Sequence, residues 1–150
     1  MAHGNRLRRG RVSEIGRAYL VTTVTHARTP IFADFHVARG AIRELCRCDD
    51  LGLSRTLAFV LMPDHLHWLV ELRDGKLCDL VQRFKSVSAK NINTLSGTPG
   101  RQRWQAGFHD HALRDEDDLH AVARYVVANP LRAGMVGSVR DYPHWDAVWL

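Results

Sequence analysis

The chain alternates between two apolar periods. "YLVTTVT" (19–25) is rich in β-branched residues and predicts a strand. Over 33–48 the apolar positions Phe35, Val37, Ala38, Ile42, Leu45 and Cys46 fall at helical spacing. "TLAFVLM" (56–62) predicts a second strand and residues 66–72 a third, joined by the turn dipeptide Pro63-Asp64 into a hairpin. Leu77, Leu80, Val81, Phe84, Ser88 and Ile92 mark one face of a long helix. "SGTPGRQR" (96–103) reads as a loop and "GFHDHAL" (107–113) as a short strand. Asp115 looks like an N-cap, with Glu116, Asp117 and Asp118 in the first turn. Leu119, Val122, Ala123 and Val126 carry the helix on until Pro130 stops it near Asn129. The order β-α-β-β-α-β-α predicts an α+β fold: a ferredoxin-like split βαβ antiparallel sheet with an additional C-terminal helix that bears Tyr125. Both crossover helices then cover one sheet face and leave the other open.

One strand breaks the apolar pattern. In "MPDHLHWLVEL" (62–72), period two points Leu66, Trp68, Val70 and Leu72 one way, a uniform core face. His65, His67, Leu69 and Glu71 point the other way. Two imidazoles on one strand face sit roughly 7 Å apart along the strand, within reach of one metal ion. A third ligand and open positions are needed as well. Tyr125 and Asn129, spaced i and i+4, offer an amide oxygen and a phenol on one helical face. A divalent cation that polarises a phosphate makes attack by a phenol feasible. By itself the His-x-His pattern more often marks two hydrogen-bonded structural histidines, and a tyrosine such as Tyr125 inside an amphipathic helix is more often a core or boundary aromatic. His109 and His111, flanking Asp110, form a rival pair on a less strand-like segment.

Length and charge narrow the class. The 150 residues make one domain, 1–150, with a basic arm at 1–17 and a tail at 141–150. No apolar run approaches the ~20 residues of a membrane span, so no membrane partner is expected and a cytoplasmic location is. Three cysteines without a CxxC argue against a disulfide framework. The net charge of +5 is concentrated in the arm, where Arg6, Arg8, Arg9, Arg11 and Arg17 face one acid, Glu14. Such an arm suits a phosphate backbone, or is a solvated tail. Lys76, Arg83 and Lys90 recur every seven residues on the long helix, a stripe that is ordinary solvated surface or the wall of a nucleic-acid groove.

"LMPDHLHWLVEL" resembles the histidine–hydrophobic–histidine (HUH) motif of the single-tyrosine transposases, and "RYVVANPLRAGMV" (124–136) resembles their tyrosine helix. "VQRFKSVSAKNIN" (81–93), "RWQAGFHDHAL" (103–113) and "DYPHWDAVWL" (141–150) are similar to the same family in the same order. The subgroup suggested is the REP-associated tyrosine transposases. The resemblance implies a metal-dependent endonuclease and strand transferase for single-stranded, hairpin-forming repeat DNA, working through a 5′-phosphotyrosine. It implies His65 and His67 as metal ligands, Asn129 as a third ligand where relatives often carry glutamine, and Tyr125 as nucleophile. The implied cofactor is Mg²⁺ or Mn²⁺, of which Mn²⁺ suits two imidazoles better. The DNA-facing set is Arg6, Arg8, Arg9, Arg11, Arg83, Lys85, Lys90, His109 and His111, on a monomer or homodimer. Two other readings share the sheet: a non-catalytic binder of the RNA-recognition type, which normally puts aromatics on its open face, and an HUH replication initiator, which normally carries extra domains.

Overall fold

The computed structural model describes residues 13–149. Arg6, Arg8, Arg9 and Arg11 lie outside the described residues. Five strands form one antiparallel sheet: β1 (Ala18–Val24), β2 (Ser54–Met62), β3 (His65–Leu72), β4 (His109–Ala112) and β5 (Trp145–Ala147). Their order is β4-β1-β3-β2-β5. The first four strands make the expected split βαβ arrangement, with β3 between β1 and β2.

Helices α1 (Phe35–Asp50) and α2 (Leu77–Ser96) cover one face. The Asp34 carboxylate starts α1 by accepting from the His36 and Val37 amides. Gly97, in the left-handed region at φ 66°, ends α2. Between these helices and the sheet lies the main core, built on Leu66, Trp68, Val70 and Leu72 together with Leu45, Val81 and Phe84. Alternation in β3 therefore put its uniformly apolar side inward, as the sequence predicts.

The second face is not open. Helix α3 (Leu119–Val127) lies across it and buries Ala123 and Val127 against Leu57, Ala58 and Leu69. Val126 packs with Val60, Met62 and Tyr142. The reason is visible in the strands: Leu69, Ala58 and Val60 are apolar on this side too and need a cover. The helix starts later than its acidic run suggests. Asp118, not Asp115, is the N-cap, accepting from the Ala121 amide. It also stops sooner. Pro130 has no N–H for the Val126 carbonyl, so α3 ends at Val127. A separate turn, α4 (Asn129–Arg132), follows a bend at Ala128 with ψ 0°. The tail at 141–150 supplies β5, a strand too short to announce itself in sequence, which pairs with β2 through Ala58, Phe59 and Val60. Arg17 is tied down rather than free, donating to the Leu113 carbonyl and pairing with Glu14.

Candidate active site

His65 and His67 lie on the α3 side of the sheet, where register fixes their neighbours. Thr22 of β1 faces His67 on one side and Val60 of β2 faces it on the other. Val24 and Met62 flank His65 in the same way. The two rings meet edge to face with centres 4.8 Å apart. A metal about 2.1 Å from a ring nitrogen is about 3.2 Å from the ring centre, so two rings sharing one ion are about 4.5–5.2 Å apart. The observed spacing falls in that interval.

The outer partners of the rings favour the same use. His65 Nδ1 bonds the Asp64 carboxylate at 2.7 Å, and His67 Nδ1 bonds the Thr22 hydroxyl at 2.9 Å. A neutral ring that donates Nδ1–H to a carboxylate carries its lone pair on Nε2. That is how a metal-binding histidine is usually oriented. Burial first, then the neighbouring His65 and Arg132, push the His67 imidazole down to about 4, which keeps it neutral and able to ligate. Asp64 is held in turn. Burial works against its charge, but the hydrogen bonds from His65 and Arg28 win, and its carboxyl stays below the usual range. Arg28 Nε reaches Asp64 at 3.2 Å. It does so from strained backbone: Ala27 and Arg28 have φ of 55° and 51°, the left-handed region that non-glycine residues avoid.

Among the described residues no group of three or more His, Cys, Asp or Glu side chains is placed to hold a metal. The two imidazoles of His65 and His67 are placed together here, and Asn129 starts α4. Tyr125 lies in the last turn of α3 and Asn129 at the start of α4, with Ala128 between the two helices.

Tyr125 is 63% exposed on α3, next to buried Val126. Val126 belongs to one buried cluster with Val60 and Met62, the β2 partners of His67 and His65. Arg132 lies over the Tyr125 ring, its guanidinium carbon 3.8 Å from the ring centre.

His109 and His111 share the sheet face of His65 and His67, since Thr22 pairs with both His67 and His109. They are exposed on the edge strand, and β1 separates them from the first pair by two strand spacings, about 10 Å. Arg83, Lys85 and Lys90 belong to α2, on the opposite layer. Arg83 approaches buried Glu44 at 4.0 Å. Lys85 donates to the Gln105 and Gly107 carbonyls at 2.6 and 2.7 Å, and burial pulls its pKa down to about 8. Lys90 is exposed. Sequence reasoning missed Asp64, Thr22 and Arg28 as supports. Asp64 was visible beside His65 but read as turn chemistry, whereas Thr22 carries no signal until the register is known.

A family profile described as IS200-like transposase matches residues 16–129. The chain belongs to that family. Among its relatives, a protein of Haemophilus influenzae that bears the name REP-associated tyrosine transposase is 26% identical over 141 residues, covering 86% of this chain and 78% of the relative. A REP-associated tyrosine transposase of Escherichia coli is 30% identical over 86 residues, covering 57% of this chain and 50% of the relative. The solved structure of a REP-associated tyrosine transposase bound to a REP hairpin superposes with a TM-score of 0.73 at 21% identity, covering 90% of this chain and 79% of that one. This IS200-like transposase is accordingly an enzyme of the tyrosine transposase type with the fold of that complex. Buried Trp68 and the histidine-bearing second face set it apart from the RNA-recognition alternative. Among the described residues no helix is long and apolar enough to cross a membrane.

Proposed function

We propose that this transposase cuts and rejoins single-stranded, hairpin-forming DNA of the REP type through a covalent bond to Tyr125. The observation that carries the reading is an exposed tyrosine on a helix packed over the partners of the His65–His67 pair. His65 and His67 through Nε2, with Asn129, would hold a divalent cation, Mg²⁺ or Mn²⁺, which when bound polarises the scissile phosphate. Tyr125 Oη forms a bond to phosphorus as the bond to the 3′-oxygen breaks. The phenol proton leaves to water and the freed strand ends in a 3′-OH. A second 3′-OH then attacks the phosphotyrosine, and the phenolate departs and is reprotonated. Bond energy is conserved throughout, so no external energy source is needed. Of the three tyrosines, Tyr19 and Tyr142 are buried and bonded, which leaves one nucleophile per chain.

His109 and His111, on the same face, would contact the DNA beside the cut. Arg6, Arg8, Arg9 and Arg11 would follow its backbone. Arg83, Lys85 and Lys90 are on the other layer, and of these Lys90 is the one most exposed for a distant phosphate. The test is incubation of the whole chain with a hairpin oligonucleotide carrying a single-stranded flank and Mn²⁺. A covalent protein–DNA band that survives denaturation, mapped to Tyr125, is expected. Its absence with both Mn²⁺ and Mg²⁺ overturns the proposal.

A further inference from the structure

Arg132 is held from two sides by one residue. Its guanidinium lies on the Tyr125 ring, 3.8 Å from ring carbon plane centre to Cζ, and its Nη1 donates to the Tyr125 carbonyl at 2.6 Å. The first contact is a cation–π pair. The second caps the last turn of α3, where free carbonyls and the negative end of the helix dipole both attract a cation. Neither contact neutralises the guanidinium. Among the described residues no carboxylate is within ion-pair distance of it. The side chain is exposed. An unneutralised cation is thus held against the hydroxyl-bearing ring.

A guanidinium has five N–H donors in a rigid plane, and one carbonyl satisfies one of them. The remaining edge matches two oxygens of a phosphate. Resting on the proposed phosphotyrosine chemistry, we infer that Arg132 is the residue that grips the phosphate attacked by Tyr125, binding its non-bridging oxygens before attack and after the covalent bond has formed. The break at Pro130 serves this arrangement. It falls between Tyr125 and Arg132, which lie seven residues apart on α3 and α4.

The rival explanation is that Arg132 only caps α3, and the experiment separates the two. Arg132→Gln keeps an N–H donor for the Tyr125 carbonyl and loses the charge. Arg132→Lys keeps the charge and loses the planar fork. The substrate is a hairpin oligonucleotide with either a natural or a methylphosphonate linkage at the scissile position, the latter lacking the non-bridging charge. Wild-type adduct formation on the natural linkage is measured first, and its failure counts against the phosphotyrosine reading and not against Arg132. Given that adduct, Arg132→Gln is expected to melt near wild type, to bind Mn²⁺ as wild type does, and to form adduct about 100-fold more slowly or worse. Arg132→Lys recovers part of the rate. Methylphosphonate slows wild type by a larger factor than it slows the Gln variant, because part of its effect removes the interaction that the Gln variant already lacks. Should Arg132→Gln fold poorly, the Lys variant and the linkage comparison carry the test. A near-wild-type rate from Arg132→Gln overturns the inference. So does a methylphosphonate penalty that is undiminished in the Gln variant.

Discussion

Asp64 and His65 are adjacent in the chain, and their side chains bond each other at 2.7 Å across the turn that starts β3. Adjacent residues on a regular strand face opposite ways, so this contact requires the turn. It fixes the imidazole through Nδ1. Asp64→Asn keeps an acceptor and loses the charge. We expect its Mn²⁺ affinity to fall about 10-fold and that of Asp64→Ala toward 100-fold, read by titration calorimetry. Equal affinity in wild type and Asp64→Ala would show that the carboxylate does not orient a ligand.

The three tyrosines should separate cleanly. Among the described residues the Tyr125 hydroxyl has no hydrogen-bond partner, whereas the Tyr142 hydroxyl donates to the Leu61 carbonyl and the Tyr19 hydroxyl accepts from the Glu14 amide. Tyr125→Phe is expected to melt within about 0.5 kcal/mol of wild type and to form no DNA adduct. Tyr142→Phe and Tyr19→Phe should each lose about 0.5–1.5 kcal/mol and still form it. Adduct from the Tyr125→Phe protein would identify the wrong nucleophile.

Removing a ring from the central pair should abolish cleavage while leaving hairpin binding largely intact. His65→Ala and His67→Ala are each expected to lose Mn²⁺ binding. His109→Ala should keep it, because β1 lies between the pairs. The reverse pattern in a calorimetric titration would move the metal site to the edge strand.

Deleting residues 1–11 removes Arg6, Arg8, Arg9 and Arg11. If all four touch single-strand phosphates, the slope of log K against log salt shrinks by about 0.7 per contact, or about 3 in all. An unchanged slope would assign the arm no phosphate contact.

Lys85 offers a contrast. Its ammonium holds the strand-entry loop through two carbonyls, so Lys85→Met is expected to lower stability by about 1–3 kcal/mol. Denaturant unfolding reads this directly, and a variant as stable as wild type would show that the tether carries no weight.

The sheet and its main core were legible because β3 presents an unbroken apolar set on one side, and because α1 and α2 keep helical spacing over several turns. The cover on the second face was harder to read. Leu69 and Ala58 signal a need for burial, but which helix meets it depends on contacts far apart in sequence. That His65 and His67 share one strand face was legible from period two. Their supports were not: Thr22 reaches His67 by cross-strand register, and Arg28 reaches Asp64 only through a left-handed backbone that no propensity favours. β5 escaped notice because three residues give too little alternation to detect.

The histidine pair sits on a hairpin whose strands are linked by Pro63 and Asp64 alone, while Tyr125 arrives on a helix much later in the chain. Closing a two-residue turn is a fast local event, and docking a distant helix waits on the sheet beneath it. A refolding molecule is therefore expected to bring His65 and His67 together first, and to wait for the late helix to deliver both Tyr125 and Asn129, which the proposed site also needs.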